Sequence, residues 1–418
     1  MPKLHPWVES VRLLGKMEGD AIYSLFERQR EARVVSDVLQ IGNTEHDFSG
    51  RTVSINLKEG KNEGSPRIFV VAPTSVGKST LMATILYQAY ISGITPVVLF
   101  DKHNEYKDKL REASSFFNDS IDEAVVQATP YFIYKSNPML RAELSRCELF
   151  QFRMEDLSRD ELHTLFDVGG RTDIMKQICL DMMLRALPSE KFNLENTRDM
   201  LWGRNPRLGG LLASVSPQTK ASIGSRIENI FANEVLGERV INIPKFILSN
   251  QILDFCFKGS RKFLADTQAY ISIIQKILFG FLSEQVSKRD NVRIMTCYDE
   301  VSVVAPKHGD PSCKEQILSD VQESRKFGES MIYSTQEMDL VDDFLVSQSK
   351  FLLVSPMTKK ENIEKILDMI NMDRSTRYWI LEDVMPMVMM RYKTDALKPW
   401  VLIERSGRIQ PLYPYVRV

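Results

Sequence analysis

Two kinds of apolar pattern alternate along the chain. Short runs rich in β-branched residues, "RIFVV" (67–71) and "PVVLF" (96–100), predict buried strands. Between them, "STLMATILYQAYIS" places Leu81, Met82, Ile85, Leu86 and Ala89 at the spacing of one helix face. Further strands are predicted at 292–298, 330–336, 350–356 and 387–393, then in "PWVLIERS", and a short one at the start of "SINLKEGKNEGSPR" (54–67) before a polar, glycine-bearing turn. From 112 to about 285 the period is mostly helical, as in "DIMKQICLDMMLRAL" and "QAYISIIQKILFGFLSEQVSK", with breaks over 202–218. Residues 1 to about 48 also read as helical, broken at Gly15 and Gly19. The pattern predicts an α/β protein with a mainly parallel sheet. Its core takes residues 51–111 and 286–418, an inserted helical subdomain takes 112–285, and residues 1–50 form a short N-terminal appendage. No internal repeat or low-complexity segment is present.

Composition narrows the classes. Of 418 residues 43% are hydrophobic and 26% charged, values of a globular protein, and no apolar run is long enough to span a bilayer. The N-terminus carries a tryptophan and acids where an export signal would be cleanly apolar, so no membrane anchor and a cytoplasmic location are expected. Five cysteines without a CxxC pair and five histidines give neither a disulfide framework nor a zinc site. A formal net charge of −1 excludes a wholly basic surface but not a local basic loop.

The candidate chemistry begins at "VVAPTSVGKST" (70–80). A strand, a loop ending in Gly-Lys-Ser and a helix form a phosphate cradle, because successive backbone N–H groups and a helix N-terminus converge on one point. Pro73, Thr74, Ser75, Val76, Gly77, Lys78, Ser79 and Thr80 line it. Gly77 lets the backbone approach the ligand, Lys78 serves the β/γ-phosphates, and Ser79 serves Mg²⁺. Ala72 stands where the motif usually opens with glycine, which is acceptable if φ there is negative.

A hydrolytic site also needs an acid for the metal and a group to activate water. The strand at 292–298 ends in Asp299, a metal candidate, and Glu300, a candidate general base. The strand at 330–336 ends in Thr335 and Gln336 at the same expected sheet edge, where an amide can meet the γ-phosphate or the water. Arg325 precedes that strand and is a candidate for stabilising transferred phosphoryl charge, from this chain or a neighbour; a solvated helix end is the competing reading. Asp101, His103 and Glu105 are three acceptors within five residues, without the second histidine cluster of a metal site. No N-K-x-D motif stands out, so ATP is expected rather than GTP.

Several of these stretches resemble the HerA family of ATPases, within the HerA/FtsK group of DNA pumps. "FDKHNEY" (100–106) resembles its D-P-H-G-E-Y element, and "SRKFGESMIYSTQ" its R-K-x-G strand with T-Q. "YDEVSVVAP" is similar to D-E-A-H-x-F-x-P, with Val301 for alanine and Ser302 for histidine. "SIGSRIENIF" (222–231) looks like the helix before the acidic strand. The resemblance covers about residues 52–416 and implies a RecA-like P-loop NTPase core, ATP and Mg²⁺ as cofactors, a homo-hexameric ring and DNA as partner. It also departs from the family. The usual G-x-T-G-S-G-K-S loop reads A-P-T-S-V-G-K-S, the arginine before the loop strand falls on Pro66 with Arg67 one place off, and the N-terminal β-barrel is expected to be missing or reduced.

The expected function is therefore ATP-driven DNA translocation or unwinding by a ring. The alternative is a nucleotide-gated scaffold that recruits an effector such as a nuclease. The loops at 102–109 and 258–262 are basic enough to meet DNA, and serve equally as solvated surface.

Overall fold

The computed structural model describes residues 38–415, apart from 46–48, 58–64, 93–96, 167–173, 189–191, 205–209, 211, 250, 288–292, 310, 312 and 396. The strands are β1 (Val38–Asn43), β2 (Thr52–Asn56), β3 (Arg67–Val71), β4 (Val97–Asp101), β5 (Val125–Pro130), β6 (Glu148–Phe150), β7 (Ile252–Cys256), β8 (Ile294–Tyr298), β9 (Glu329–Thr335), β10 (Phe351–Val354), β11 (Trp400–Glu404) and β12 (Ile409–Pro414). They form one sheet in the order β2-β1-β12-β11-β10-β3-β9-β8-β4-β7-β5-β6. From β10 to β6 every neighbouring pair is parallel, and β11, β12, β1 and β2 close the other end antiparallel. The helices that matter for the site are α1 (Lys78–Ile91), α2 (Tyr106–Phe116), α3 (Arg141–Leu144), α4 (Pro217–Ala232), α5 (Leu264–Ser287), α6 (Lys314–Glu323), α7 (Arg374–Trp379) and α8 (Met385–Thr394).

The near-continuous apolar runs of the central strands follow from burial on both faces. In β3, Ile68 and Val70 join the apolar cluster that contains Leu81, Ile85 and Leu86 of α1. Phe69 and Val71 point to the opposite cluster, with Ile271, Ile274 and Leu278 of α5. Parallel register then levels the strand ends: Val71 lies opposite Thr335 and Val354, and Tyr298 opposite Tyr333. The loops that follow β3, β8 and β9 consequently leave the sheet side by side, where ligands bind in open parallel sheets.

Three expectations change. Residues 38–43, placed in a helical appendage, are a strand paired with β2 and β12, while residues 1–37 of that appendage lie outside the described residues. The insert at 112–285 is not helical throughout, for β5, β6 and β7 extend the central sheet by three strands. Residues 387–393, read as a strand, lie in α8, which continues α7 through a single π-helical stretch at Ile380–Val384. Met385 and Val388 are buried there while Met387 and Met390 are exposed, which is a helical spacing rather than an alternation.

Arg67, one place from the family's usual arginine, is fully buried at the start of β3. Its guanidinium donates to the carbonyls of Asp320 (3.2 Å) and Val321 (3.2 Å) in the last turn of α6, to Ser324 Oγ (2.8 Å) and to the carbonyl of Glu329. It thus satisfies carbonyls that a helix C-terminus leaves open. Burial pushes the nearby Asp320 carboxyl up to about 8, against the pull of Arg67. Arg67→Met would strip the cation from these buried acceptors and is expected to cost about 3 kcal/mol or more. The check is a denaturant titration of the variant beside the parent; an unchanged midpoint would show that the brace is dispensable.

Among the described residues, no helix is long and apolar enough to cross a membrane.

Candidate active site

The phosphate loop runs from β3 into α1 and is anchored at its start, where the N–H of buried Ala72 donates to the carbonyl of Thr335 (3.3 Å). Among the described non-glycine residues, positive φ occurs at Ser75, Asn104, Asn118, Glu234 and Asn371, so Ala72 does not need a glycine's freedom. The demanding position is Ser75, with φ 65°, where the family carries its second glycine. Gly77, with φ 87°, turns the chain into α1, and no side chain caps that helix or places an acid in its first turn. Its leading N–H groups are therefore available to an anion. Left-handed backbone suits serine poorly and β-branched residues worse. Ser75→Gly is expected to keep nucleotide affinity, while Ser75→Val lowers it by about tenfold or more, a loss of about 1.4 kcal/mol. Calorimetric titration with an ATP analogue separates the two, and equal affinities would mean that the loop does not depend on this conformation.

Lys78, nearly buried, reaches across to the end of β8. Its Nζ donates to the carbonyl of Asp299 (3.5 Å) and lies 3.8 Å from Asp299 Oδ1 and 3.6 Å from Glu300 Oε2. Asp299 also accepts from the Tyr106 hydroxyl (3.0 Å), and its other oxygen, Oδ2, is buried without a hydrogen-bond partner. Burial pushes the Asp299 carboxyl up, against the pull of Lys78 and His103. Glu300 is fixed through one oxygen: Oε1 accepts from Ser302 Oγ (2.7 Å) and from Thr335 Oγ1 (2.9 Å). Gln336 sits over the loop, its Oε1 accepting from Thr74 Oγ1 (2.8 Å).

The "FDKHNEY" stretch enters the same site. Asp101, fully buried at the end of β4, is a clamp: its two oxygens accept from the backbone N–H groups of His103 (2.7 Å), Asn104 (2.8 Å), Glu105 (2.8 Å) and Tyr106 (3.1 Å). Burial, then the Asp299 charge, pushes its carboxyl up to about 6 despite these bonds. Asn104 takes the family's glycine position at φ 59°, which asparagine tolerates. The fixed loop delivers Glu105, whose carboxylate accepts from Ser79 Oγ.

The structure thus brings together Lys78, Ser79, Asp299, Glu300, Gln336 and the loop from Pro73 to Thr80. It does not bring Arg325 to them. Arg325 lies in the 3₁₀ turn Ser324–Phe327 before β9, and the seven residues of that strand carry the chain about 23 Å along the sheet before Gln336. Thr335, Ser302, Tyr106 and Glu105 are site residues that the sequence reading did not assign. Glu105 and Tyr106 were within its reach, since they lie in the recognised motif. Thr335 and Ser302 reveal their roles only through the register of β8 and β9. The residues present fit a divalent cation beside the phosphates: a serine hydroxyl on the loop, an unpartnered buried carboxylate oxygen at Asp299, and Glu105 on that same serine.

Residues 40–205 match the family model described as "Helicase HerA, central domain". No curated protein matches the chain in sequence. Among solved structures the chain is similar to VirB4 of Thermoanaerobacter pseudethanolicus, with a TM-score of 0.54 and 13% identity over 91% of this chain and 96% of that one. Lower scores relate it to the bacterial conjugative coupling protein TrwB (0.48, 12% identity, 75% of this chain and 77% of that one). The genome packaging NTPase B204 from Sulfolobus turreted icosahedral virus 2 follows (0.34, 10% identity, 84% and 97%). Over residues 40–205 the chain is thus similar to the central domain of the HerA helicase, and it has the RecA-like α/β fold that it shares with VirB4.

Proposed function

We propose that the chain is a Mg²⁺-dependent ATPase that assembles as a hexameric ring and uses the energy to move DNA. The observation that carries the hydrolytic part is Lys78, held between Asp299 and Glu300 at the mouth of the phosphate loop with Gln336 over Thr74. The HerA-type central domain supports DNA as the partner.

In this reading the uncapped first turn of α1 and the Gly77 turn receive the phosphates, and Lys78 turns from the two carboxylates to the β/γ-phosphates. That movement frees Glu300 Oε2, while Ser302 and Thr335 keep the carboxylate in place by its other oxygen. Glu300 then accepts the proton of the attacking water, and Gln336 orients that water or the γ-phosphate. Ser79 and Asp299 would hold Mg²⁺, which supplies charge neutralisation on the phosphates when bound. Arg325 lies too far from its own loop, so its role is assigned in trans, to the site of a neighbouring copy.

The test is ATP turnover by the purified protein against duplex DNA of increasing length, with electron micrographs of the nucleotide-bound state. Turnover that rises with duplex length, from sixfold rings, supports a motor. Rings that form on ATP and ignore DNA would replace it with the scaffold that recruits an effector.

A further inference from the structure

The carboxylates of Asp299 and Glu300 also form one wall of a separate cavity of about 480 Å³, reached from the same sheet edge. Its floor is aromatic. Phe100 stacks on Tyr298 (4.8 Å between ring centroids) and on Phe257 (6.4 Å), and Ile271 of α5 closes the back. Its rim is cationic and comes from the two basic loops: Lys102 and His103 after β4, and Lys258 and Arg261 after β7. Lys102 and Arg261 are exposed, and neither enters an ion pair among the described residues. Leu264, 47% exposed, is the apolar part of the mouth. Within the cavity wall, Thr267 is buried and its Oγ1 has no hydrogen-bond partner. Gly259 sits at a φ of 85°, a backbone that favours glycine.

A flat apolar body inside, one hydrogen-bonding group at its edge and a phosphate at the entrance describe a nucleotide unit. The phosphate belongs at the rim, away from Asp299 and Glu300, where a cationic edge and an aromatic floor are the elements of strand-binding sites. We propose that this cavity is a second nucleotide site, distinct from the phosphate loop, which takes a base against Phe257 and Thr267 and its phosphate at Lys102 and Arg261. The inference deepens the DNA reading and rests on it for the source of the nucleotide, an unpaired unit of a strand.

The rim is also wired to the loop side. Lys258 Nζ contacts both oxygens of Glu143 in α3 (2.8 Å each), Glu143 Oε1 accepts from Asn104 Nδ2 (2.5 Å), and the next residue, Glu105, holds Ser79. A phosphate that draws on Lys258 therefore loosens the partner of Asn104, one residue from the glutamate that bonds the serine assigned to the metal. This gives the cavity a route to affect turnover without touching ATP.

The experiment saturates the phosphate loop of the full chain with a non-hydrolysable ATP analogue. A fluorescent single-stranded oligonucleotide and a fluorescent mononucleotide are then titrated at several salt concentrations. The double substitution Lys102→Glu with Arg261→Glu is expected to weaken binding at least tenfold and to lower the salt slope by about 0.7, the share of one phosphate contact on a single strand. Thr267→Met, which fills the cavity, should weaken binding with the slope retained. Leu264→Glu at the exposed mouth gives the same reading if Thr267→Met does not fold. Binding of the oligonucleotide assigns the cavity to a strand; binding of the mononucleotide alone assigns it to a free nucleotide and separates it from the DNA reading. Parent-like affinity for both probes in all three variants, or no binding by the parent, overturns the second site. ATP turnover is measured apart from these titrations, so failure of the hydrolytic reading is distinguishable.

Discussion

Glu300→Gln is expected to bind ATP as the parent does and to hydrolyse it about 10²–10⁴-fold more slowly, the share general-base catalysis commonly supplies. The substitution is conservative in shape. A glutamine amide oxygen can still accept from Ser302 Oγ and Thr335 Oγ1, so the side chain should stay where those hydroxyls hold it. What it loses is the capacity to take a proton, along with the charge that faces Lys78 at 3.6 Å. Because Asp299 also faces that ammonium, Lys78 keeps a partner in the nucleotide-free site. Equilibrium binding of an ATP analogue and single-turnover phosphate release, measured on the same preparation, give the two halves of the result. Parent-like phosphate release would remove Glu300 from its role.

Lys78→Ala acts on the other half of the site and should bring nucleotide affinity down by more than about 10²-fold, to the limit of detection; two decades are about 2.7 kcal/mol. Two effects add. The phosphates lose their point charge, and Asp299 and Glu300 lose the ammonium that offsets them at the end of β8. Burial already pushes the Asp299 carboxyl up, with Lys78 the largest opposing influence, so its removal raises that carboxyl further. Less of the residue is then ionised and able to serve a cation. Affinity in the variant should therefore recover partly as pH rises, whereas loss of phosphate contact alone would leave it flat. Calorimetry at three pH values decides between these, and retention of parent affinity would mean that the loop binds phosphate without its lysine.

How much of this was readable beforehand depended on the range of the interaction. The β3–loop–α1 unit is local, and its strand, turn and helix follow from the spacing of apolar residues and from Gly77. The ends of β8 and β9 were legible because each apolar run stops at polar residues that the parallel register then sets side by side. In the insert, β5 and β7 escaped because each carries a polar residue in mid-strand, half-buried Gln127 and fully buried Asp254. Gln127 of β5 donates to Asp254 Oδ2 of β7 (3.0 Å), a pairing across 127 positions that spoils the apolar run of each strand. In the loop, attention fell on Ala72, whose backbone any residue can adopt, and passed over Ser75, whose positive φ no composition rule reveals. The strand reading of 387–393 came from a dense apolar cluster, and only burial distinguishes its helical face.

The position of Arg325 bears on how copies would be arranged. Arg325 sits at the rim where the parallel strands begin, and the phosphate loop at the rim where they end. The loop strand is the sixth of twelve, so at about 4.8 Å per strand the site lies about 24 Å inward from the β2 margin and farther still from β6. A guanidinium from another copy cannot arrive by pairing along either margin. In the ring proposed above it would come over the top, with the starting rim of one sheet laid on the finishing rim of the next. Strands would then run tangentially around the ring instead of along its axis, an orientation that a map of modest detail is enough to read.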